Sequence, residues 1–439
     1  MKNLQQSTIE PWWKSAANML GYEEAVLKIL DNCLPLGTEE VALEKLAGRV
    51  LAVDVVAPFD FPRFDNSAVD GFGVIVADVT GATEQAPVKL PLSAVLRAGD
   101  PGEMVLSASH GVKILTGGVV PGGVEAVVMR EYCREENGSV HIGYTPTAGE
   151  NIRPRGAEYK QGETLLRRGM VATPPVVGMV ASVGLSAILV SEQPRVAVIS
   201  TGNEIVAPGV QLKPGQIYDS NSFALGAAIR EFGIETVNFY HAPEDRDQTE
   251  VVLRQALAEN DVIVSAGGVS VGDFDFVTQV CKEMGVQELI WKIAIKPGKP
   301  VYVGLVPGVP GAPCTPQSTT RMIFGLPGNP VSALVTLNLF VRPALRKMMG
   351  VKENDQRMPR FTARLEKDVR KRPGRMEFVR GELFCGADSD ELRVKATTGQ
   401  DSHMLGGLCN ANCLIHFGKD ESLLSAGESV VVELLPWNF

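Results

Sequence analysis

Long apolar runs are missing from this chain. Nothing in its 439 residues approaches the ~18 consecutive apolar residues of a membrane helix. Residues 1–14 hold no apolar core followed by a small-residue cleavage site, so a secretory leader is not indicated and a cytoplasmic protein is expected. Cysteine is scattered and odd in number: seven, at 33, 133, 281, 314, 385, 409 and 413, with no Cys-x-x-Cys. Cys409 and Cys413 sit four apart but have no partner pair at zinc-finger spacing. Reduced, mostly buried thiols are expected. A positive excess is also missing. The net charge of −9 argues against broad binding to nucleic acid or to a membrane surface. If the ligand is an anion, the positive charge that holds it must be local. Histidine is scarce, with five residues (110, 141, 241, 403, 416) and none in the glycine-rich turns, so no Ser–His–Asp arrangement suggests itself.

What remains is an ordinary soluble composition, 45% hydrophobic and 21% charged, long enough for roughly three domains. Residues 22–34 read as an amphipathic helix with Val26, Ile29, Leu30 and Cys33 on one face. Residues 38–56 predict a second helical pattern and then a strand from Val50 to Val56. From about Pro58 to Arg155, short β-like runs punctuated by Gly and Pro predict a small β-rich domain. Residues 157–192 are helical around Thr173 to Val183.

From Arg195 the pattern changes to alternating strands and helices. Strands are expected at Arg195 to Ser200, Glu235 to Tyr240 and Asp261 to Ser265. Helices are expected at Phe223 to Phe232, after the capping-box spacing of Asp247 and Glu250, up to Met284, and from Val331 to Met349. This alternation predicts a three-layer α/β sheet that binds ligands beyond the carboxyl ends of its strands. Residues 307–320, rich in Pro, Ser and Thr, read as a surface loop. Alternating runs from about 350 to 439 predict a small β-barrel.

The chemistry concentrates in turns. Phe324-Gly325-Leu326-Pro327-Gly328-Asn329-Pro330 joins a strand to a helix; Asn329 can cap that helix and Pro330 can occupy its first position. Backbone N–H groups at such a turn point together, as they do where proteins hold phosphates. Ser200-Thr201-Gly202-Asn203-Glu204 directly follows a strand. In Gly215-Gln216-Ile217-Tyr218-Asp219-Ser220-Asn221, Ser220 or Asn221 could cap the next helix and leave Asp219 free. Gly267, Gly268 and Ser270 lie between a strand and a helix, with Asp275 in the first turn of that helix. Lys296-Pro297-Gly298-Lys299-Pro300 holds two lysines on a stiff turn. Asp65 to Gly71 (Asp-Asn-Ser-Ala-Val-Asp-Gly) adds two Asp, an Asn and a Ser in one loop, which alone would read as an Asx turn. Carboxylates beside oxyanion cradles commonly mean a divalent cation, usually Mg²⁺, between them.

These turns, with Leu115-Thr116-Gly117-Gly118 and Gly374-Arg375-Met376-Glu377-Phe378-Val379-Arg380-Gly381, give the chain a resemblance along nearly its whole length. It resembles the molybdopterin molybdenumtransferase family, the MoeA and gephyrin E-domain proteins. The resemblance implies a multidomain fold with a central three-layer α/β/α molybdopterin-binding (MogA-like) domain, a small β-rich domain, a split elongated domain and a C-terminal β-barrel. Mapped here, these are 195–348, 58–156, 1–57 with 157–194, and 349–439. It implies a homodimer with its site between subunits. The implied reaction inserts molybdate into adenylylated molybdopterin with Mg²⁺-dependent pyrophosphate cleavage, releasing AMP and molybdenum cofactor. Contact with a molybdopterin adenylyltransferase and with acceptor molybdoenzymes is implied too.

Carried over residue by residue, the catalytic carboxylates would be Asp70 (acting from the partner subunit), Glu204, Asp219, Asp275 and Glu158, with Asp219 and Asp275 on the metal. Thr116, Ser200, Thr201, Gly202, Gly267, Gly268, Ser270, Lys296, Lys299, Pro327, Gly328, Asn329, Pro330, Arg375 and Ser402 would hold substrate. The chain departs from the family pattern at Glu158, one methylene longer than the usual Asp, at Phe72-Gly73, in the 307–320 insertion, and in an N-terminal extension bearing Trp12 and Trp13. Two other readings compete. One is adenylyltransferase-type chemistry on the same α/β fold, which the Asp65–Gly71 loop and the flanking domains disfavour. The other is a scaffolding or cofactor-binding paralogue, which Glu158 leaves open and Asp70, Asp219 and Asp275 disfavour.

Overall fold

The computed structural model describes residues 19–269, 276–306, 321–386 and 391–437. Ser270, Asp275, Trp12, Trp13 and the 307–320 segment lie outside them. Contacts divide the chain into two compact units. One comprises residues up to Ala52, Gly169–Thr173 and Ala187 onward; the other comprises Val53–Arg168 and Pro174–Ser186.

The first unit is built on a six-stranded sheet. Its order is 237–242, 196–201, 262–266, 321–326, 302–306, 287–291; the first four strands are parallel and the last two antiparallel. The central strands carry apolar side chains on both faces, as a sheet covered on both sides requires. Val196, Val198, Val262, Val264, Met322 and Phe324 face a layer formed by helices Asn221–Glu231, Tyr22–Asp31 and 330–348. Ala197, Ile199, Ile263 and Ile323 face helices Arg246–Glu259 and Phe276–Glu283. The three-layer α/β architecture expected from the strand–helix alternation is therefore present.

The expected helix from Val331 to Met349 is not regular. It runs as α-helix over Pro330–Thr336, as π-helix over Leu337–Val341, and as α-helix over Arg342–Met348. Pro343 explains the break, because proline has no N–H to complete an i→i−4 bond and its ring crowds the preceding turn. Residues 38–56 form no α-helix either. Thr38–Ala42 is a strand paired antiparallel with Ala187–Ser191, followed by a short 3-10 turn, and only Val55–Val56 of the later segment is a strand. Tertiary pairing overrode the local helical pattern.

The C-terminal part of this unit is a closed five-stranded barrel, as its alternating runs indicated. Met376–Cys385 pairs with both Leu392–Ala396 and Cys413–Phe417. Arg360–Leu365 and Ser429–Leu434 complete the circuit. Ile295–Lys296 adds in parallel to Met376–Glu377 and so ties the α/β sheet to the barrel. Arg360 bonds buried Glu433 through Nε at 2.9 Å, and its Nη1 lies 2.9 Å from Glu23 of the first helix, fastening that helix to the barrel. The second unit is β-rich: a six-stranded sheet over two small apolar cores, around Phe72, Val128 and Ile142 and around Val112, Ile114 and Val127.

Candidate functional site

Parallel register brings the carboxyl ends of three strands level. Ser200 pairs with Ala266, and Ala266 with Leu326. The turns that leave these ends form the floor of a cleft of about 720 Å³. Its walls include Ser200, Thr201, Glu204, Asp219, Gly267, Gly268, Pro327 and Gly328. Here glycine is required by geometry. Gly267 has φ +93°, and a Cβ on it would lie 2.6 Å from Thr201 Oγ1; a Cβ on Gly268 (φ +71°) would lie 2.5 Å from Val277. Gly202 has φ +130°, and its missing side chain leaves room for the Glu204 carboxylate, which folds to within 2.4 Å of where a Cβ would stand. The backbone is thereby exposed to whatever occupies the cleft.

Asp219 is not left free by its neighbours. Its Oδ1 accepts from Ser222 N at 2.9 Å, so Asp219 caps helix 221–231. Ser220 makes no capping bond, and Asn221 Nδ2 donates instead to Gly328 O at 2.7 Å, linking two walls of the cleft. Asn329 stands at the N-cap position with Pro330 at the first helical turn, yet its side chain does not cap. Its Nδ2 donates to Ser402 Oγ at 2.9 Å, and Val331 N donates to Ser402 O at 3.2 Å. The turn is thus fastened to the barrel rather than to its own helix. At the next helix, Asp245 rather than the predicted Asp247 is the N-cap, accepting from Gln248 N at 2.9 Å.

Beyond Pro300, Pro327 and Asn329, which border both spaces, the cleft adjoins a chamber of about 280 Å³. Four cationic side chains line it, Lys296, Lys299, Arg375 and Arg380, with two carboxylates, Glu377 and Asp401. A further opening of about 580 Å³ continues past Lys296, Lys299, Arg372 and Arg375. Local positive charge is therefore concentrated here in a chain of net charge −9. Lys296 is paired with Glu377 at 2.8 Å. Gly298 (φ +100°) shapes the lysine turn, since a Cβ there would strike Thr336 at 2.2 Å.

Sequence reading missed Arg380. It is 1% exposed. Its Nη2 donates to Gly399 O at 2.7 Å and Asp401 O at 3.3 Å, and its Nε has no partner. Burial pushes its guanidinium below the ordinary arginine range. The only signal was a second arginine five residues after Arg375 on an alternating strand; which of the two points inward depends on the barrel. Histidine was missed as well. His403 lines the cleft, and His241 lies 3.1 Å from Ser200 Oγ through Nδ1. Both reach the site from segments distant in sequence from its glycine turns.

Asp70 and Thr116 belong to the second unit, where they meet. Asp70 Oδ1 accepts from Thr116 N at 2.8 Å and Oγ1 at 2.9 Å, and these bonds hold the exposed carboxyl below the usual carboxylate range. Glu158 is exposed in the same unit, its backbone N bonded to Phe61 O at 2.9 Å. Among the described residues, no three or more His, Cys, Asp or Glu side chains are grouped to hold a metal.

Comparison with known proteins accounts for this arrangement. Residues 20–184 match the MoeA N-terminal region (domain I and II), 197–347 a probable molybdopterin binding domain, and 362–435 the MoeA C-terminal region (domain IV). The chain is 33% identical over 422 residues to a molybdopterin molybdenumtransferase of Haemophilus influenzae, covering 96% of this chain and 99% of that one. It is 36% identical to molybdopterin molybdenumtransferase 2 of Mycobacterium tuberculosis, covering 94% and 98%. A crystal structure of the molybdopterin biosynthesis MoeA protein from Pyrococcus horikoshii superposes with a TM-score of 0.76 at 30% identity, covering 96% of this chain and all of the other. The chain belongs to the molybdopterin molybdenumtransferase family.

Proposed function

We propose that this protein is the enzyme of molybdenum cofactor biosynthesis that transfers molybdenum to molybdopterin, with adenylylated molybdopterin and molybdate as its substrates. The observation that carries the reading is the junction of two unlike spaces at Pro300, Pro327 and Asn329. The glycine-floored cleft suits a phosphate-bearing pterin, and the cationic chamber suits a small tetrahedral dianion. In this reading the N–H groups of the turns at 201–204, 266–268 and 326–329 orient the pyrophosphate. Lys299, Arg375 and Arg380 hold molybdate beside the dithiolene, and Ser402 positions Asn329 between the two.

The donor set also fits Mg²⁺. Glu204 and Asp219 line the same cleft, and Mg²⁺ is usually held by one or two carboxylates together with substrate phosphates and water. When bound there it would neutralise phosphate charge during pyrophosphate cleavage. Asp219 is proposed as one metal carboxylate and Asp275 as the second, with Glu204 a further catalytic carboxylate in the same cleft. Asp70, held ionised by Thr116, is proposed to act from the partner in a homodimer, and the protein is proposed to work in the cytoplasm. The four-domain division is likewise proposed.

The test is AMP release from adenylylated molybdopterin by the purified protein, with and without molybdate and Mg²⁺. Release that requires both, together with activation of a cofactor-free molybdoenzyme, is expected. Tight binding without release would instead identify a carrier. Asp219→Asn keeps an oxygen for the Ser222 cap and loses the charge, so it should leave the fold intact and abolish release. Normal turnover in that variant would overturn the metal role.

A further inference from the structure

Ser200 lines the cleft at the end of its strand and is 4% exposed. Its register neighbour on the parallel edge strand is His241. Both lie on the sheet face that carries helix 221–231. Val198, in step with Ser200, is in that core, and Phe239, in step with His241, lies against Phe223 of the helix with ring centroids 6.5 Å apart. Ser200 Oγ and His241 Nδ1 are 3.1 Å apart, while the imidazole itself is exposed to solvent.

A hydroxyl has one proton to donate, so the direction of this bond decides what Ser200 offers the cleft. With Nδ1 unprotonated, Ser200 donates to His241 and presents only lone pairs to a ligand. With the imidazolium, Nδ1–H donates to Ser200 Oγ, and the hydroxyl proton is free to point at an oxyanion. We infer that His241 is a positioning residue which, through Ser200, switches the cleft wall between acceptor and donor toward the ligand's oxyanion. Oxyanion binding in the cleft therefore tightens on acidification. Histidine is the side-chain class whose charge changes between about pH 5 and 8. This inference rests on the cleft being the oxyanion-binding site proposed above.

Other charged groups lie on the surrounding elements. Arg230 of helix 221–231 covers Phe239, two residues back on the same face. Glu259, ending helix 246–259, is bonded to Tyr240 on the opposite face. Asp219 precedes helix 221–231, Glu204, Glu244 and Asp245 occupy the loops beyond the strand ends, and a second histidine, His403, lines the cleft. All of these positions are the same with and without His241→Gln, so a comparison of pH profiles isolates the imidazole.

The experiment measures sulfate affinity of the full chain by calorimetry from pH 5.5 to 8.5, sulfate itself staying fully ionised across that range, in a background of Arg375→Met and Arg380→Met, which disables the chamber as a competing sulfate site, and His403→Gln, which removes the other histidine of the cleft. Wild type at Ser200 and His241, His241→Gln, Ser200→Ala and the double variant are compared. Gaining one charge-supported donor should tighten wild-type binding by roughly tenfold toward the acid end. That slope should be absent in both single variants and in the double variant. ¹⁵N NMR of the imidazole should show Nδ1 passing from acceptor to donor as the slope develops. A wild type without a slope, or a slope retained in His241→Gln or in Ser200→Ala, overturns the inference and leaves the cleft reading standing. Absence of sulfate binding at every pH overturns the cleft reading, and the inference with it.

Discussion

Arg380→Met separates a binding arginine from a structural one. In the wild type a guanidinium is held at 1% exposure, with two carbonyl acceptors on Nη2 and none on Nε. Glu377, which lines the same chamber, is engaged by Lys296 at 2.8 Å. Glu377 and Asp401 act on Arg380 through space, and among the described residues no carboxylate is bonded to it, so the free protein carries most of its desolvation. Burying a single charge carries an effective penalty of several kcal/mol, which an apolar side chain of similar volume does not carry. Against this, two carbonyls lose a donor, each at about 1–3 kcal/mol. These nearly cancel, so the free variant should unfold within about 2 kcal/mol of wild type. Ligand binding has no such cancellation. A charge-assisted bond to an oxyanion is worth about 1.5–3 kcal/mol, so the dissociation constant for molybdate should rise roughly 10- to 150-fold. Calorimetric titration with molybdate and a thermal melt of the free variant read the two quantities separately. Arg380→Lys, which keeps the charge but loses the planar fork, should fall between wild type and Met. Molybdate affinity within twofold of wild type in a folded Met variant would refute the reasoning.

Three further outcomes are expected. Gly267→Ala places a Cβ 2.6 Å from Thr201 Oγ1 at φ +93°, which adds about 1–2 kcal/mol of left-handed strain and displaces Thr201; the melting temperature should drop by a few degrees and ligand affinity should fall with it. Thr116→Val removes the side-chain bond to Asp70 Oδ1, so the Asp70 carboxyl, now depressed, should titrate closer to an ordinary aspartate in a carboxyl-detected NMR titration. Because the folded value is the depressed one, the stability linked to Asp70 is present above the unfolded value near 3.9 and disappears as pH falls through the folded value; the variant should lose part of it. Burial pushes the thiols of Cys33, Cys281 and Cys413 up to about 12, so a thiol reagent should modify exposed Cys385 and Cys409 first and reach the buried three only on unfolding.

Much of the architecture was legible because strand–helix alternation, glycine turns and alternating β runs are local properties of the chain. Buried strands such as Val196–Thr201 and Val262–Ala266 read as mostly apolar runs, broken only by Ser and Thr near their ends, because both faces are covered. Errors arose where a distant partner decided the outcome. Thr38–Ala42 has a helical pattern but pairs with Ala187–Ser191, about 150 residues on, and that ladder outweighs its local preference. Asn329 has the residue type of a cap, yet Ser402 takes its amide. Asp219 does the capping that Ser220 and Asn221 seemed better placed to do, because Asn221 is drawn to Gly328.

By itself the sequence determined the family, the three-layer sheet, the barrel and the turns that carry backbone N–H groups, since each depends on residue type and near-neighbour spacing. Only the tertiary structure decided which groups share a space. Parallel register aligned three strand ends into one cleft floor, and barrel closure aimed Arg380 into the chamber beside the lysine turn. Pairing of an edge strand set His241 against Ser200. Each of these depends on long-range contacts that bring together residues tens to hundreds of positions apart, and no local pattern in the chain encodes that distance.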